Sequence, residues 1–327
     1  MPPSTTDAKR ARWVGIDLGG TAIKAGAVDD AGHVVERRSV PTELVRGAEH
    51  VLDKIAALAR ELGAADRIGV GVPGLIDPSS GTLVACPNLK ALEGRALAHE
   101  LAQRLPHAQI VILNDANAAA LGEHWIGAGR GSNDMLLVTL GTGVGGGLIL
   151  GGALQRGSGG MAGEIGHVVV DPNGLVCGCG ARGCVETLAS ASAAERRAKE
   201  RGLPRSAPGD LAALADAARR APGAERELLF EVGRDLGRAL GVVVSLLDLR
   251  SFVLGGGFGA ATDVLEPGVR AGIALTSYGH RQSLVRIVPA TLGSDAGWIG
   301  AARASSGVGD DTSTGTSART TLSSPRP

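Results

Sequence analysis

Between Gly157 and Thr187 the sequence reads GSGGMAGEIGHVVVDPNGLVCGCGARGCVET, and three of the chain's four cysteines, Cys177, Cys179 and Cys184, fall within eight residues of it. His167 lies ten positions before the first of them, with Glu164 and Glu186 at the margins. Zinc bonds thiolate at about 2.3 Å and imidazole nitrogen at about 2.0 to 2.1 Å, and four protein ligands make a closed structural site. Gly178, Gly180 and Gly183 let a short loop fold back so that several sulfurs face one point. The alternative is a disulfide or buried free thiols. Cys177 and Cys179 are too close in sequence to bridge without strain, and no secretory leader signals an oxidising compartment. A metal on one ring nitrogen of His167 would fix the other as an N–H donor. Flanked by Glu164 and Glu186 as acceptors, that donor suits a polyol.

Three glycine turns carry the second chemistry. Asp17-Leu18-Gly19-Gly20-Thr21 lies between two strands, where successive backbone N–H groups and a hydroxyl can meet an anion with no side chain in the way. Thr139 to Gly143 offers the same from a later part of the chain, and Gly255-Gly256-Gly257 follows another strand. Neither the G-x-x-x-x-G-K-S/T loop nor a G-x-G-x-x-G dinucleotide fingerprint opening a helix is present at these turns. Facing turns of this kind can clamp a polyphosphate.

The elements that must position these groups read as follows. Trp13 to Leu18, Ala22 to Val28 and His33 to Val40 alternate as strands, Ala48 to Leu62 has helical apolar spacing, and Arg67 to Val72 is a buried strand. A helix is expected over Leu92 to Leu105 and a strand over Gln109 to Leu113. Asn114-Asp115 then caps an alanine-rich helix running toward Trp125. After the glycine-rich stretch 127–133 the pattern begins again with strands Met135 to Leu140 and Gly145 to Leu150. DLGGT in the first half answers TLGTG in the second, an internal duplication that suggests two related α/β domains facing one another across a cleft. Helices are expected at Leu188 to Arg201, Asp210 to Arg220 and Glu225 to Leu249, strands at Ser251 to Leu254 and Leu284 to Val288, and a last helix at Ala296 to Ala304. Residues 1–11 and 305–327 lack an apolar pattern and read as disordered.

At 327 residues the chain exceeds one typical domain. Basic and acidic residues are equal at 33, which removes the electrostatic footprint of a nucleic-acid or membrane-surface binder. With three Trp, one Tyr and three Phe, the core must be aliphatic and stacking platforms for bases are scarce. The most apolar later stretch, Ala239 to Leu247, is far shorter than the roughly 20 residues of a membrane span. A soluble, cytoplasmic protein is the expectation.

Taken in chain order, Asp17-x-Gly-Gly-Thr21-x-x-Lys24, Gly71-x-Pro73-Gly74, Pro87-Asn88-Leu89, Asn114-Asp115-Ala116-Asn117-Ala118, Leu140-Gly141-Thr142-Gly143-x-Gly145, Gly163-Glu164-x-Gly166-His167 and Cys177-x-Cys179-Gly180-x-x-Gly183-Cys184-x-Glu186 resemble the motifs of the ROK family of sugar kinases and repressors. The resemblance covers residues 13 to 304 and is strongest to the bacterial glucokinases of that family. It implies a two-lobed, actin-like (ribonuclease H-like) α/β ATPase fold with duplicated βββαβα halves and a zinc-bearing insertion. One lobe would span 12–113 plus 294–304 and the other 114–293, with the zinc loop at 167–184. It implies ATP-dependent phosphorylation of a hexose, glucose to glucose 6-phosphate, with ATP, Mg2+ and structural Zn2+. Kinases for N-acetylmannosamine, N-acetylglucosamine, fructose or allose share the same motifs, and a sugar-responsive regulator without catalysis is the further alternative, disfavoured by the intact Asp115.

The roles implied are these. Asp17, Gly19, Gly20, Thr21, Lys24, Thr139, Gly141, Thr142 and Gly143 hold the ATP phosphates, Asp17 orienting the magnesium shell, while Gly255, Gly256 and Gly257 pass the adenosine. Asp115 is the catalytic base, and Asn88, Asn114, Glu164, His167 and Glu186 hold sugar hydroxyls. His167, Cys177, Cys179 and Cys184 bind zinc. At the start of a helix the Asp115 anion is favoured by the macrodipole and is expected to be ionised at neutral pH. The short lead before the first strand leaves no room for the DNA-binding segment of the repressor branch, so no nucleic-acid partner is expected. A homodimer or homotetramer follows from the resemblance.

Overall fold

The computed structural model describes residues 13–63, 66–203 and 211–307. Of the tails expected at 1–11 and 305–327, only 305–307 are described. Ser305 closes the last helix, its buried hydroxyl donating to Ala302 O at 2.8 Å.

The first sheet opens with an antiparallel meander, Trp13–Leu18 (β1), Ala22–Val28 (β2) and Val34–Pro41 (β3). Ala48–Glu61 (α1) covers one face, burying Val51, Leu52, Ile55 and Ala59 at helical spacing against Val14, Ile16 and Val70. Arg67–Val72 (β4) pairs parallel to β1. A short hairpin of Leu75–Ile76 (β5) and Leu83–Ala85 (β6), which the sequence does not announce, leads to Leu97–Arg104 (α2) and Gln109–Asn114 (β7). The helix expected over 92–105 is cut to α2. Gly94 N donates to Leu83 O at 2.8 Å and Leu83 N to Arg95 O at 3.0 Å, so the β6 backbone takes the bonds a longer helix would need.

Asp115–Ile126 (α3) crosses into a second sheet built from Met135–Leu140 (β8), Val144–Leu150 (β9), Ala153–Gln155 (β10) and two later strands. Between β10 and those strands lie the cysteine loop and four helices: Glu186–Ala189 (α4), Ala191–Glu200 (α5), Ala212–Arg220 (α6) and Ala224–Leu247 (α7). The single helix expected over 188–201 breaks at Ser190, whose Oγ accepts from Ala193 N at 3.0 Å as an N-cap. Ser251–Gly255 (β11), Thr262–Thr276 (α8), Arg286–Pro289 (β12) and Ala296–Ser305 (α9) complete the chain.

The strand orders are β3-β2-β1-β4-β7 and β10-β9-β8-β11-β12, so the second sheet repeats the first position for position. This is the duplicated α/β architecture the two glycine turns suggested. Helix α9 lies on the first sheet and α3 on the second, and the two helices pack against each other between them. The contact is close because side chains are missing from it. A Cβ at Gly122 would fall 2.5 Å from Ala296 O, and one at Gly300 1.6 Å from Ala118 O; on the sheet side, one at Gly69 on β4 would fall 1.8 Å from Ala301 O.

Candidate active site

Strand register places the first group of residues. Asp17 stands opposite Lys24 on β2 and Gly71 on β4, and Val72 stands opposite Asn114 on β7. Asp17, Gly71 and Asn114 therefore end adjacent parallel strands, the edge at which α/β sheets bind ligands. In the second sheet Thr139 pairs with Gly255 across β8 and β11. Asp17, Lys24, Asp115, Thr139, Gly255 and Gly256 line one cavity of about 190 Å³, joined by Glu123, Gly293, Ser294 and Gly297. A second cavity of about 530 Å³ continues from Gly141, Thr142 and Gly257 to Phe258, Ala191, Ser192 and the α6 residues Ala212, Ala215 and Arg219. The first cavity is thus bordered by Asp17 and Thr139, where the two turns begin, and the larger and more apolar one by Gly141 and Thr142 of the second turn, polar turns with an apolar chamber beside them being suited to a nucleotide.

Each turn is braced. Thr42, fully buried after β3, donates its hydroxyl to Gly19 O at 2.6 Å and its N–H to Thr21 O at 2.9 Å. Gly141 N donates to Gly143 O at 3.0 Å, closing the second turn. Gly256 takes φ +76 with its α-carbon against the Leu140 backbone, a conformation and a closeness that exclude a side chain. Asn88 is exposed in the 3-10 turn Pro87–Leu92, with its backbone against Gly20.

Asn114 is the N-cap of α3. Its Oδ1 accepts from Ala116 N at 2.9 Å and Asn117 N at 3.1 Å, and its Nδ2 donates to Gly74 O at 3.1 Å. The side chain thus sets the direction in which Asp115 leaves the strand. Asp115 Oδ1 accepts from Ala116 N at 2.8 Å. Burial raises its carboxyl above the usual range, so desolvation outweighs the backbone bonds that favour the anion. This tempers the macrodipole argument and makes Asp115 a stronger base than a surface aspartate. Burial and the charge of Asp115 also push the Asp17 carboxyl up to about 6, against the pull of Lys24. Glu164 is raised by burial first, and by Asp115 and Glu186 further, with His167 opposing. Asp115 is therefore felt on one side by Asp17 and on the other by Glu164.

The donor atoms of His167, Cys177, Cys179 and Cys184 all lie within 4.8 Å of one another. Cys179 Sγ is 3.6 Å from Cys184 Sγ, and Cys177 Sγ is 3.6 Å from His167 Nδ1. Bonds of about 2.3 Å at tetrahedral angles put neighbouring sulfurs about 3.8 Å apart, so the donor set fits a tetrahedral metal ion. Gly183 makes the fold-back possible, since at φ +76 a Cβ there would fall 1.5 Å from Asp171 O. With Nδ1 turned to the sulfurs, His167 Nε2 faces Glu164 Oε2 at 3.8 Å. Glu186 Oε2 accepts from Val144 N at 3.0 Å.

Of the residues singled out in the sequence, Asp17, Lys24, Asp115, Thr139, Gly255 and Gly256 thus line one cavity, Gly141, Thr142 and Gly257 line a second, and His167, Cys177, Cys179 and Cys184 cluster in a loop that Glu186 ties to the Gly141–Val144 turn. Those the sequence did not single out are Thr42, Glu123, Phe258 and the 293–297 corner. Thr42 and Glu123 act on backbone groups far away in sequence and leave no local pattern. Phe258, one of three phenylalanines, directly after Gly255-Gly256-Gly257, was a signal available to be read.

Residues 13–306 match the model of the ROK family. A glucokinase of Thermotoga maritima is 34% identical over 307 residues, covering 89% of this chain and 96% of that protein. An N-acetylmannosamine kinase of Escherichia coli is 37% identical over 257 residues, 76% of this chain and 84% of that one. The crystal structure of a ROK family glucokinase from Streptomyces griseus in complex with glucose and AMPPNP superposes with a TM-score of 0.75 at 34% identity, covering 90% of this chain and 99% of its own. With the duplicated sheets, the two glycine turns and the Cys₃His loop all in place, the chain belongs to the ROK family and has its actin-like ATPase fold.

Proposed function

We propose that the protein phosphorylates a hexose with ATP, and that the hexose is glucose, converted to glucose 6-phosphate. The observation that carries the reading is the position of Asp115, which opens α3 and lines one cavity with Asp17, Lys24 and Thr139. Phosphoryl transfer is mostly positioning and charge neutralisation, and its base need only take the hydroxyl proton as the new bond forms. Asp115, with its carboxyl raised by burial, would take that proton from the acceptor hydroxyl. Asn88, Glu164, His167 and Glu186 would hold the remaining hydroxyls, and Asn114 would contribute chiefly by fixing Asp115.

The Asp17–Thr21 and Thr139–Gly143 turns and Lys24 would hold the phosphates, and Gly255–Gly257 with Phe258 would border the adenosine. Asp17 would orient a magnesium ion brought with the nucleotide, which would supply charge neutralisation on the phosphoryl oxygens. Zinc on His167, Cys177, Cys179 and Cys184 supplies rigidity to the sugar wall. Closing lobe 12–113 plus 294–304 on lobe 114–293 would expel water that competes with the sugar hydroxyl. Among the described residues no helix is long and apolar enough to cross a membrane, and we place the enzyme in the cytoplasm as a dimer or tetramer.

The test is ATP-dependent ADP release over a panel of glucose, mannose, fructose, allose, N-acetylglucosamine and N-acetylmannosamine. Highest kcat/KM with glucose is expected. The similarity to an N-acetylmannosamine kinase supports that sugar as the second reading, and a higher kcat/KM with it would replace glucose. ADP release independent of every sugar would overturn the kinase reading.

A further inference from the structure

Glu186 faces more than a sugar. Its Oε2 accepts from Val144 N at 3.0 Å, and a Cβ at Gly143 would fall 2.3 Å from the same oxygen, so the carboxylate occupies the space a side chain there would need. Five residues further, Ala191 N donates to Gly141 O at 2.8 Å. The turn Gly141–Val144 is thereby gripped at both ends by one short segment, Glu186–Ala191, which contains α4 and the first residue of α5. The start of that segment is itself fixed. Cys184 of the metal cluster lies two residues before Glu186, and the fully buried Val185 donates its N–H to Val168 O at 2.9 Å.

We propose that Glu186 is a positioning residue for the phosphate turn, and that segment 186–191 is a strut carrying the rigidity of the Cys₃His cluster to Gly141–Val144. The proposal rests on the reading of that turn as a nucleotide-phosphate site. A glycine turn left to itself loses much conformational freedom when a ligand orders it. A turn fixed beforehand by Glu186 and Ala191 loses less, so part of the nucleotide affinity originates in a loop that never touches nucleotide. A carboxylate that only held sugar would leave nucleotide affinity unchanged when no sugar is present.

The experiment measures binding of AMPPNP with magnesium to the full-length protein by calorimetry, without sugar and therefore without turnover. Glu186→Ala is expected to weaken AMPPNP roughly tenfold, the effect of one lost charge-assisted hydrogen bond to a backbone N–H. Glu186→Gln keeps an amide oxygen for Val144 N and is expected to stay within about threefold of wild type. Stripping the cluster with a chelator is expected to weaken AMPPNP in the wild type and to add little in Glu186→Ala, because both act through the same strut. Wild-type AMPPNP affinity in Glu186→Ala, or equal losses in Glu186→Ala and Glu186→Gln, would overturn the proposal. Should Glu186→Ala fail to fold, the Gln variant and the metal-stripped wild type decide alone: an unchanged affinity after stripping overturns it. Absence of AMPPNP binding to the wild type would instead overturn the kinase reading on which the proposal stands.

Discussion

Glu123 is fully buried on α3, and its carboxylate accepts from Ala128 N at 2.8 Å, Thr291 N at 3.0 Å, Leu292 N at 2.8 Å and Thr291 Oγ1 at 3.3 Å. It joins α3 to the segment that leaves the second sheet for α9, immediately before Gly293 and Ser294 of the 190 Å³ cavity. In Glu123→Ala three backbone N–H groups, those of half-buried Ala128 and Leu292 and of exposed Thr291, lose their acceptor. Each orphaned donor costs about 1–3 kcal/mol, and after partial relaxation the sum should come to roughly 3–5 kcal/mol. At about 2–4 °C per kcal/mol for a chain somewhat shorter than this one, Tm should fall by roughly 8–15 °C. Because Gly293 and Ser294 follow the released segment, the KM for ATP should rise several-fold more than that for the sugar. Scanning calorimetry and two-substrate kinetics read the two effects. A variant melting within about 2 °C of wild type with both KM values unchanged would refute the idea that this carboxylate clasps α3 to the segment leading into α9.

Asp115→Ala is expected to bind sugar normally by calorimetry and to lose turnover by a factor of about 10²–10⁴, the usual contribution of a general base; near-normal turnover would exclude it as the base. The Asp17 carboxyl, held at about 6 in the fold against 3.8 ordinarily, prefers its proton in the folded state. Its contribution to stability is therefore full below 3.8 and lost as pH rises through 6, whereas kcat/KM should rise with pH through about 6 as the carboxylate forms. Asp17→Asn should remove that acid limb and most activity while raising Tm at pH 7 by a few degrees, because it removes a buried charge and, with it, the repulsion from Asp115; a lower Tm would contradict the assigned causes of the shift. Cys179→Ser should lose metal by elemental analysis and raise the sugar KM at least tenfold, and retention of a full equivalent of metal would remove Cys179 from the ligand set.

The sequence discloses most readily what local chemistry repeats. The strands β1, β2, β8 and β9 alternate around glycine turns that only tight reversals need, and the cysteine spacing has few uses besides a metal. Helix α8 escaped because Pro267 and two glycines interrupt it, and Pro267 offers no N–H to the carbonyl one turn back. What permits a helix there is contact with α7. A Cβ at Gly268 would fall 2.0 Å from Phe230 O, and one at Gly237 2.1 Å from Val269 O, so the glycines that argue for a loop mark two helix backbones in near contact. Gly233, Gly237 and Gly241 at intervals of four were the signal for it. The β5–β6 hairpin is decided by partners such as Arg95, which no window of a few residues contains, whereas the break at Ser190 had a local sign in the cap it gives Ala193 N. In the cleft, residue types were legible but allegiances were not: Asn114 serves the helix start, and Glu186 serves the phosphate turn as well as the sugar wall.

The seat of α9 on β1 has a consequence for biosynthesis. Trp298, Ile299 and Ala302 complete a core with Val28, and Ala301 reaches β4, yet every other described element is translated before them. At about 5–20 residues per second, the N-terminal strands wait roughly 15–60 s between leaving the ribosome and receiving the helix that covers them. During that interval one apolar face of the nascent sheet is open to chaperones or to a neighbouring polysome product. Messages truncated before codon 296 would therefore yield chains that aggregate or are degraded, even though all of β1 to β7 has been made.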